Sequence, residues 1–336
     1  MTIQENWQRS YRIVFGVPEY TQDLYSIDKV SIGPLKREFQ PFDAETIPSK
    51  ALKMSNLIED GNSTRGFTFS LDSTRKASAS SNKKTEKTVL QLYNLNKEAI
   101  DILNLDGCVM RVFAGYGGKT DLIYSGDVEQ VSPIQMGQDL IHRVRLTDGG
   151  VSEKDTIVSV QYDEFTSTAQ VITDLVGLYP DSAVGYLGLD KQSAEFTTGG
   201  QSYAGKLVKI IDRIMNKNNL RQGRYNGKIV VIPDNLKVGE ADYEKNKINT
   251  YLFFPDNVKA ISAASTNKNK TTGTEQTQTS INVSSFLIPI ELGQYFTIPN
   301  AVSEEYNGTY LVTEIRQVLK SHGNEWDTIL KGEAIK

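Results

Sequence analysis

The hydrophobic periodicity of this chain predicts a mainly β fold with an α+β insert: two β-barrel-like domains flanking a small α+β domain. Period-2 alternation dominates from about Tyr11 to Tyr162, period 3.6 takes over between Asp163 and Glu240, and short strand-like runs separated by turn residues return after 240. With 336 residues the chain has room for two or three domains and a substantial core. The reading divides it into an N-terminal segment and first barrel-like domain (1–162), a small α+β domain (163–240) and a second barrel-like domain (241–336).

The stretch before Gly66 reads as short strands and long loops, because Pro18, Pro34, Pro41 and Pro48 punctuate apolar pieces such as Tyr11–Phe15. Between Thr88 and Asp127 the pattern is sharper. Leu90 and Leu92 alternate with Val89, Gln91 and Tyr93 as a half-buried strand does. Asn94-Leu95-Asn96 makes the turn into a short helical bridge. Met110, Val112 and Ala114 then alternate with Val109, Arg111 and Phe113 until Gly115 and Gly117 break the strand around Tyr116. Leu122-Ile123-Tyr124 supplies a hairpin partner, with Gly126-Asp127 expected to close it. Leu140, His142, Val144 and Leu146 alternate again, and Val158, Val160 and Tyr162 repeat the signal.

In the middle region Ser167-Thr168-Ala169-Gln170 fits a capping box, followed by an apolar stripe of Val171, Leu175 and Leu178 flanked by Ile172 and Val176. A second helix presents Leu207, Ile210, Ile211 and Ile214 on one face, with Ser202 expected to cap it and Asn216–Asn219 to end it. Gly227 marks a turn before the buried strand Ile229–Pro233. The last region reads as strands at Tyr251–Phe254, Phe286–Ile290, Tyr295–Ile298, Tyr310–Val318 and Trp326–Leu330. Two polar stretches, Ser73–Lys84 and Ser262–Ser280, read as mobile loops or as segments ordered by a neighbouring subunit, since such composition builds no core.

The chemistry excluded is as informative. Cys108 is the sole cysteine, so one chain makes no disulfide and no thiolate metal cluster; it reads as a small apolar residue. His142 lies on an apolar strand face and His322 in a hairpin turn, so no histidine-rich metal site is expected. Ala114–Thr120 ends in Gly-Lys-Thr like a phosphate loop, but Phe113 stands where the pattern needs glycine and a strand follows where it needs a helix. No nucleophile-elbow motif is present, which leaves a carboxylate pair as the hydrolytic option that the sequence does not localise. No catalytic, cofactor-binding or metal-ligating residue is assigned. No apolar run has the length to cross a bilayer, and Met1–Trp7 lacks the basic and apolar regions of a secretory leader. Apolar residues at 38% and charged residues at 23% give a globular composition, and the net charge of 37 − 41 = −4 disfavours tight binding to nucleic acid.

The order of motifs resembles the baseplate hub proteins of contractile-tailed bacteriophages, a tail hub, late-control-protein-like family. The positions that carry the resemblance are Tyr93, Asn94, Leu95, Gly115, Tyr116, Gly126 and Asp127 in the first barrel-like domain, and Pro289, Gly293, Gly308, Tyr310 and Trp326 in the second. It spans most of the chain from Gly66 onward. The resemblance implies a structural, non-enzymatic virion protein of the tail baseplate, made in the host cytoplasm and without membrane insertion. It implies a homotrimer whose two similar barrels per chain present six similar edges, joining a tail tube protein to a central spike protein beside other baseplate proteins. DNA is implied only as passing cargo in a genome conduit, with no cofactor. The hub of a non-contractile tail tip or a phage-derived bacteriocin shares these features. The readings from other classes are a phage cell-wall glycosidase and a receptor-binding β module.

Overall fold

A computed structural model describes residues 8–17, 51–59, 62–63, 67–78, 87–148, 156–164, 166–179, 183–187, 200–233, 250–268 and 277–335. The first part of the chain forms β1 (Arg9–Gly16), β2 (Ala51–Ser55), the short pair β3 (Ile58–Glu59) and β4 (Asn62–Ser63), β5 (Phe69–Lys76), β6 (Lys87–Tyr93), helix α1 (Lys97–Leu103), β7 (Val109–Tyr116), β8 (Lys119–Met136) and β9 (Asp139–Thr147). The middle holds β10 (Ile157–Tyr162), α2 (Thr168–Gly177), β11 (Ala183–Leu187), β12 (Gln201–Lys206), α3 (Leu207–Lys217), β13 (Leu220–Tyr225) and β14 (Lys228–Pro233). The last part holds β15 (Tyr251–Leu252), β16 (Val258–Lys268), β17 (Thr277–Phe286), β18 (Tyr295–Ile298), β19 (Gly308–Lys320) and β20 (Trp326–Ala334). The chain is mainly β with an α+β insert, as its periodicity predicts.

Strand pairing joins the first and last parts into one 13-stranded sheet, ordered β16-β17-β20-β19-β5-β6-β9-β8-β7-β1-β2, with β18 branching from β19 and β15 parallel to β18. The join is β19 against β5, antiparallel from Glu314 opposite Lys76 to Lys320 opposite Ser70. Two apolar cores lie along this sheet. The first gathers Ile13, Leu90, Leu92, Met110, Val112 and Val144 and borrows Leu287, Leu319 and Trp326 from the C-terminal part. The second gathers Phe296, Ile298, Leu311, Val312 and Leu330 and borrows Ala77 and Tyr225. A third core lies in the insert, where the apolar stripes of α2 and α3 meet. Strand β14 is buried on both faces: Val230 and Ile232 enter the second core, Ile229 and Val231 the third. Its unbroken apolar run is what a two-faced strand requires.

Several local expectations are corrected. Ser202 does not cap α3; it lies within β12, paired with Gln161 of β10, and Lys206 stands at the cap with no side-chain bond. The six-residue ladder between β10 and β12 outcompetes a single capping bond. By the same pairing, the run Val158–Tyr162 joins the insert's ladder and not the large sheet. Ser167 caps α2 by accepting from the Gln170 N–H at 3.1 Å, but Gln170 turns to Asp174 instead of completing the capping box. Tyr251–Phe254 is a strand only through Leu252, because Pro255 opens a 3-10 turn, Pro255–Asn257. The run at Phe286–Ile290 stops at Phe286, just before Pro289, which offers the ladder no N–H. Gly126-Asp127 does not close a hairpin, since β8 continues to Met136.

Both polar stretches contain strand. Ser73–Lys76 belongs to β5, and Ser73, Arg75 and Ala77 are buried; residues 79–84, with Lys83, lie outside the described residues. Ser262–Lys268 and Thr277–Ser280 form parts of β16 and β17, with 269–276 outside the described residues. Pro18, Pro34, Pro41, Pro48 and Gly66 lie outside them as well.

Val112 is fully buried, opposite Ile13 of β1 and Tyr124 of β8. Val112→Asp is therefore expected to bury an uncompensated carboxylate and cost roughly 3 kcal/mol or more, read as a lowered melting temperature. A wild-type melting curve would refute the placement of β7 in the core.

Candidate functional site

The densest polar assembly is a junction where both parts of the sheet and the insert meet. Arg75 projects from β5, the strand that joins the two parts, and its guanidinium lies 4.7 Å from the Tyr124 ring and 4.6 Å from the Tyr225 ring. It also donates to the Ile123 carbonyl at 2.8 Å. Asp148, just past β9, is buried and accepts the Gly227 N–H at 3.0 Å. Burial pushes its carboxyl above the ordinary carboxylate range, while the positive charges of Arg75 and Arg224 and the N–H groups of Gly227 and Asn226 pull the other way. Arg224 lies over the Tyr179 ring at 5.3 Å.

The β13–β14 hairpin carries most of these contacts. Its turn, Asn226-Gly227, has both residues at positive φ, 53° and 77°, the pairing that a tight two-residue hairpin turn favours. The Asn226 carboxamide accepts from the Ser125 N–H at 3.0 Å and donates to the Leu122 carbonyl at 3.3 Å, acting as a substitute strand along that stretch of β8. Tyr225 donates its hydroxyl to the Ile290 carbonyl at 3.1 Å. Arg221 makes a two-pronged pair with Glu333 of β20, both contacts at 2.8 Å. Backbone bonds between Ser78 and Gln222, at 2.7 and 2.8 Å, complete the docking.

Beside this junction a cleft of about 270 Å³ opens between the β7–β8 hairpin and the segment after β17. Its walls include Tyr116, Ile123, Tyr251, Leu287 and Pro289, with Lys119 and Asp121 among the lining residues. The Tyr116 hydroxyl accepts from the Leu287 N–H at 3.2 Å, and burial pushes its pKa up to about 12.

The twelve positions singled out in the sequence do not converge. Gly115, Tyr116 and Pro289 meet at the cleft. Asn94 sits at φ 53° and ties β6 to β9, its side chain accepting from Leu140 N at 2.9 Å and donating to Asp139 at 2.8 Å; Tyr93 precedes it and Leu95 packs on the first core. Gly126 and Asp127 lie in mid-β8. At Gly115 a Cβ would meet the Lys119 carbonyl oxygen, and at Gly126 the Tyr124 hydroxyl and Thr147 carbonyl, so the backbone approaches too closely for a side chain. Gly293 and Gly308 flank β18, while Tyr310 stacks on Phe296 with ring centroids 5.4 Å apart. Trp326 lies in the first core beside Phe69, under Arg9.

Cys108 is buried, as a small apolar residue, and His322 is exposed in the turn between β19 and β20. The phosphate-loop look-alike is a hairpin turn. Its N–H donors are taken, Gly117 by the Gln8 carbonyl at 2.9 Å and Gly118 by Ser10 Oγ at 2.8 Å, and β8 follows. Among the described residues no group of three or more His, Cys, Asp or Glu is placed to hold a metal ion, and no helix is long and apolar enough to cross a membrane.

With this geometry in hand, comparison with known proteins shows where else the fold occurs. No protein-family model matches the sequence, and no curated protein matches it. Solved structures do. The 43 kDa tail protein of prophage MuSo2 from Shewanella oneidensis superposes with TM-score 0.50 at 10% identity, covering 81% of this chain and 94% of that one. The E. coli c3393 protein superposes with TM-score 0.51 at 9% identity, over 80% of this chain and 74% of that one. It is described as a type VI secretion component similar to the T4 tail proteins gp27 and gp5. A chain of the Francisella PdpA–VgrG complex gives TM-score 0.54 at 9% identity over 98% of this chain, which spans 58% of it. The fold is thus one found in phage tail and type VI secretion proteins.

Removing Asp148 takes the opposing carboxyl away from two buried guanidiniums. Asp148→Ala is expected to cost on the order of 3 kcal/mol, and Asp148→Asn, which keeps an acceptor for Gly227, less. Equal losses in denaturant titrations would show that the charge is immaterial. His142, only 3% exposed, has its pKa lowered from 6.5 by burial, so the unfolded chain takes up a proton first as pH falls. Its contribution to stability is complete above 6.5 and is lost as pH falls through the lowered folded value. His142→Gln should flatten stability against pH across that window, and an unchanged slope would refute this.

Proposed function

We propose that this chain is a structural subunit of a phage-type tail: a trimeric baseplate hub that joins the tail tube to the central spike and forms part of the genome conduit in the virion. The observation that carries the reading is the fold, a mainly β chain whose first and last parts share one sheet with an α+β insert docked at their join, similar to that of a prophage tail protein. Three copies with two similar parts each offer six similar edges, which reconciles a sixfold tube with a threefold spike without an adaptor. In this reading 1–162 and 241–336 supply those parts and 163–240 braces them. The twelve family-like positions shape strand turns and close backbone approaches, and the role is architectural, not catalytic. The type VI secretion relatives of the fold favour a second setting, the hub of a related injection device with the same partners in kind: tube, spike and baseplate proteins.

Mass measurement in solution at micromolar concentration, alone and with tube or spike protein, is expected to give a trimer. Duplex DNA is expected to bind weakly at physiological salt, because a net charge of −4 supplies no surplus of phosphate contacts. A strict monomer in every mixture, or nanomolar affinity for DNA, would overturn the reading.

A further inference from the structure

Strand β8 carries unlike features at its two ends. At its start, Lys119 and Asp121 line the cleft described above, whose volume of about 270 Å³ has room for about nine water-sized groups. Leu252 and Phe254, 46% and 55% exposed, follow Tyr251 of the cleft wall in sequence, and Phe253 between them is buried. At its far end β8 runs out as an arm. Its last bond on the β7 side is from Val128 N to the Cys108 carbonyl, and from Gln130 to Met136 it pairs only with β9. Among the described residues one edge of the arm therefore has no partner strand, a template for another chain, and Pro133 is tolerated there because an edge strand can spare an N–H. Residues 133–139 are all exposed, and Ile134 (38%) and Met136 (64%) fall on one face of the strand.

The 18 residues of β8 place these features up to roughly 55 Å apart at about 3.3 Å per residue, so the arm cannot fill the cleft of its own chain. We propose that it fills the cleft of the next copy, with Ile134 and Met136 seated between Tyr116, Tyr251 and Pro289. Asp139, directly opposite Met136 in the ladder, is the sole charged residue from Gln130 to Leu140, and seating Met136 pairs it with Lys119, the cation of the cleft, with Asp121 as the like charge that sets which way the arm lies. Such a contact joins two different surfaces, head to tail, and closes as a ring when the rotation allows. The contact deepens the hub reading and rests on it only for the copy number.

Cys108 is the sole cysteine and is buried, so single cysteines report cleanly. Met136→Cys and Pro289→Cys chains, mixed and oxidised, should form a disulfide-linked heterodimer, because a bridge requires Cα atoms within about 7 Å. The double variant should form a covalent ring with the mass of the native oligomer. Met136→Asp should weaken assembly at least tenfold with an unchanged melting curve. If the wild type assembles while no arm-to-cleft bridge forms, or Met136→Asp assembles as well as the wild type, the docking is overturned and the hub reading stands. Bridging of Pro289→Cys chains to one another alone also overturns it. A wild type monomeric with every partner overturns both.

Discussion

The buried charge cluster of Asp148 with Arg75 and Arg224 is the constraint on which the rest of the architecture depends. Desolvating three charges is costly, and a buried ionic group repays it only with good geometry and additional hydrogen bonds. Here the repayment comes from the first part of the chain and the insert: N–H donors of the β13–β14 turn on Asp148, aromatic faces from β8 and β13 on Arg75, and the Tyr179 ring on Arg224. Without the docked insert Asp148 loses its turn donors and Arg224, and Arg75 keeps only the Tyr124 face and the Ile123 carbonyl. The junction thus selects one arrangement of insert and sheet, where apolar burial alone would tolerate sliding.

Its location explains its reach. Arg75 stands on β5, which pairs with β6 on one side and β19 on the other. The strand that orients the cluster is thus the strand that joins the two parts of the sheet. On the opposite side of the insert, β14 divides its side chains between the second core and the insert's own. Charge fixes the position of the hairpin and apolar area holds it there, and the substitute strand made by the Asn226 carboxamide seals part of β8 that would otherwise be an open edge.

What the sequence discloses and what it conceals follow from the range of the interactions. Strands with clean alternation, such as β6 and most of β9, are legible because each position's environment is set by its own ladder. Strand β17 is not: Ile281 and Val283 are buried while Asn282 is exposed, and their neighbours are Ser, Thr and Gln, so two apolar residues suffice once β16 and β20 supply the pairing. Strand β5 is hidden for the same reason, and Arg75 amid serine and lysine looks like a solvated charge. Ser202 and Gln170 show local chemistry losing to pairing and to a rival partner. The junction had a single local sign, Asn226-Gly227 between two strand-like runs, of which only Gly227 stands out as a turn marker. Its other members are brought together from residues 75 to 333 by topology, which no spacing rule reports.

A sheet continuous through both parts has mechanical consequences for the architectural role. Separating the parts requires breaking the β19–β5 ladder, seven residue pairs from Glu314–Lys76 to Lys320–Ser70, together with the Arg316–Asp72 pair at 2.8 Å that lies across it. In antiparallel pairing these bonds lie perpendicular to the strands, so a load along the strands shears many at once and does not peel them singly. Two barrels joined by a flexible linker would each find their own orientation; one ladder transmits the orientation of the first to the second. In the proposed hub, two similar edges held in fixed register to a ring need that transmission, and the buried charge cluster on the joining strand holds the insert to the same frame.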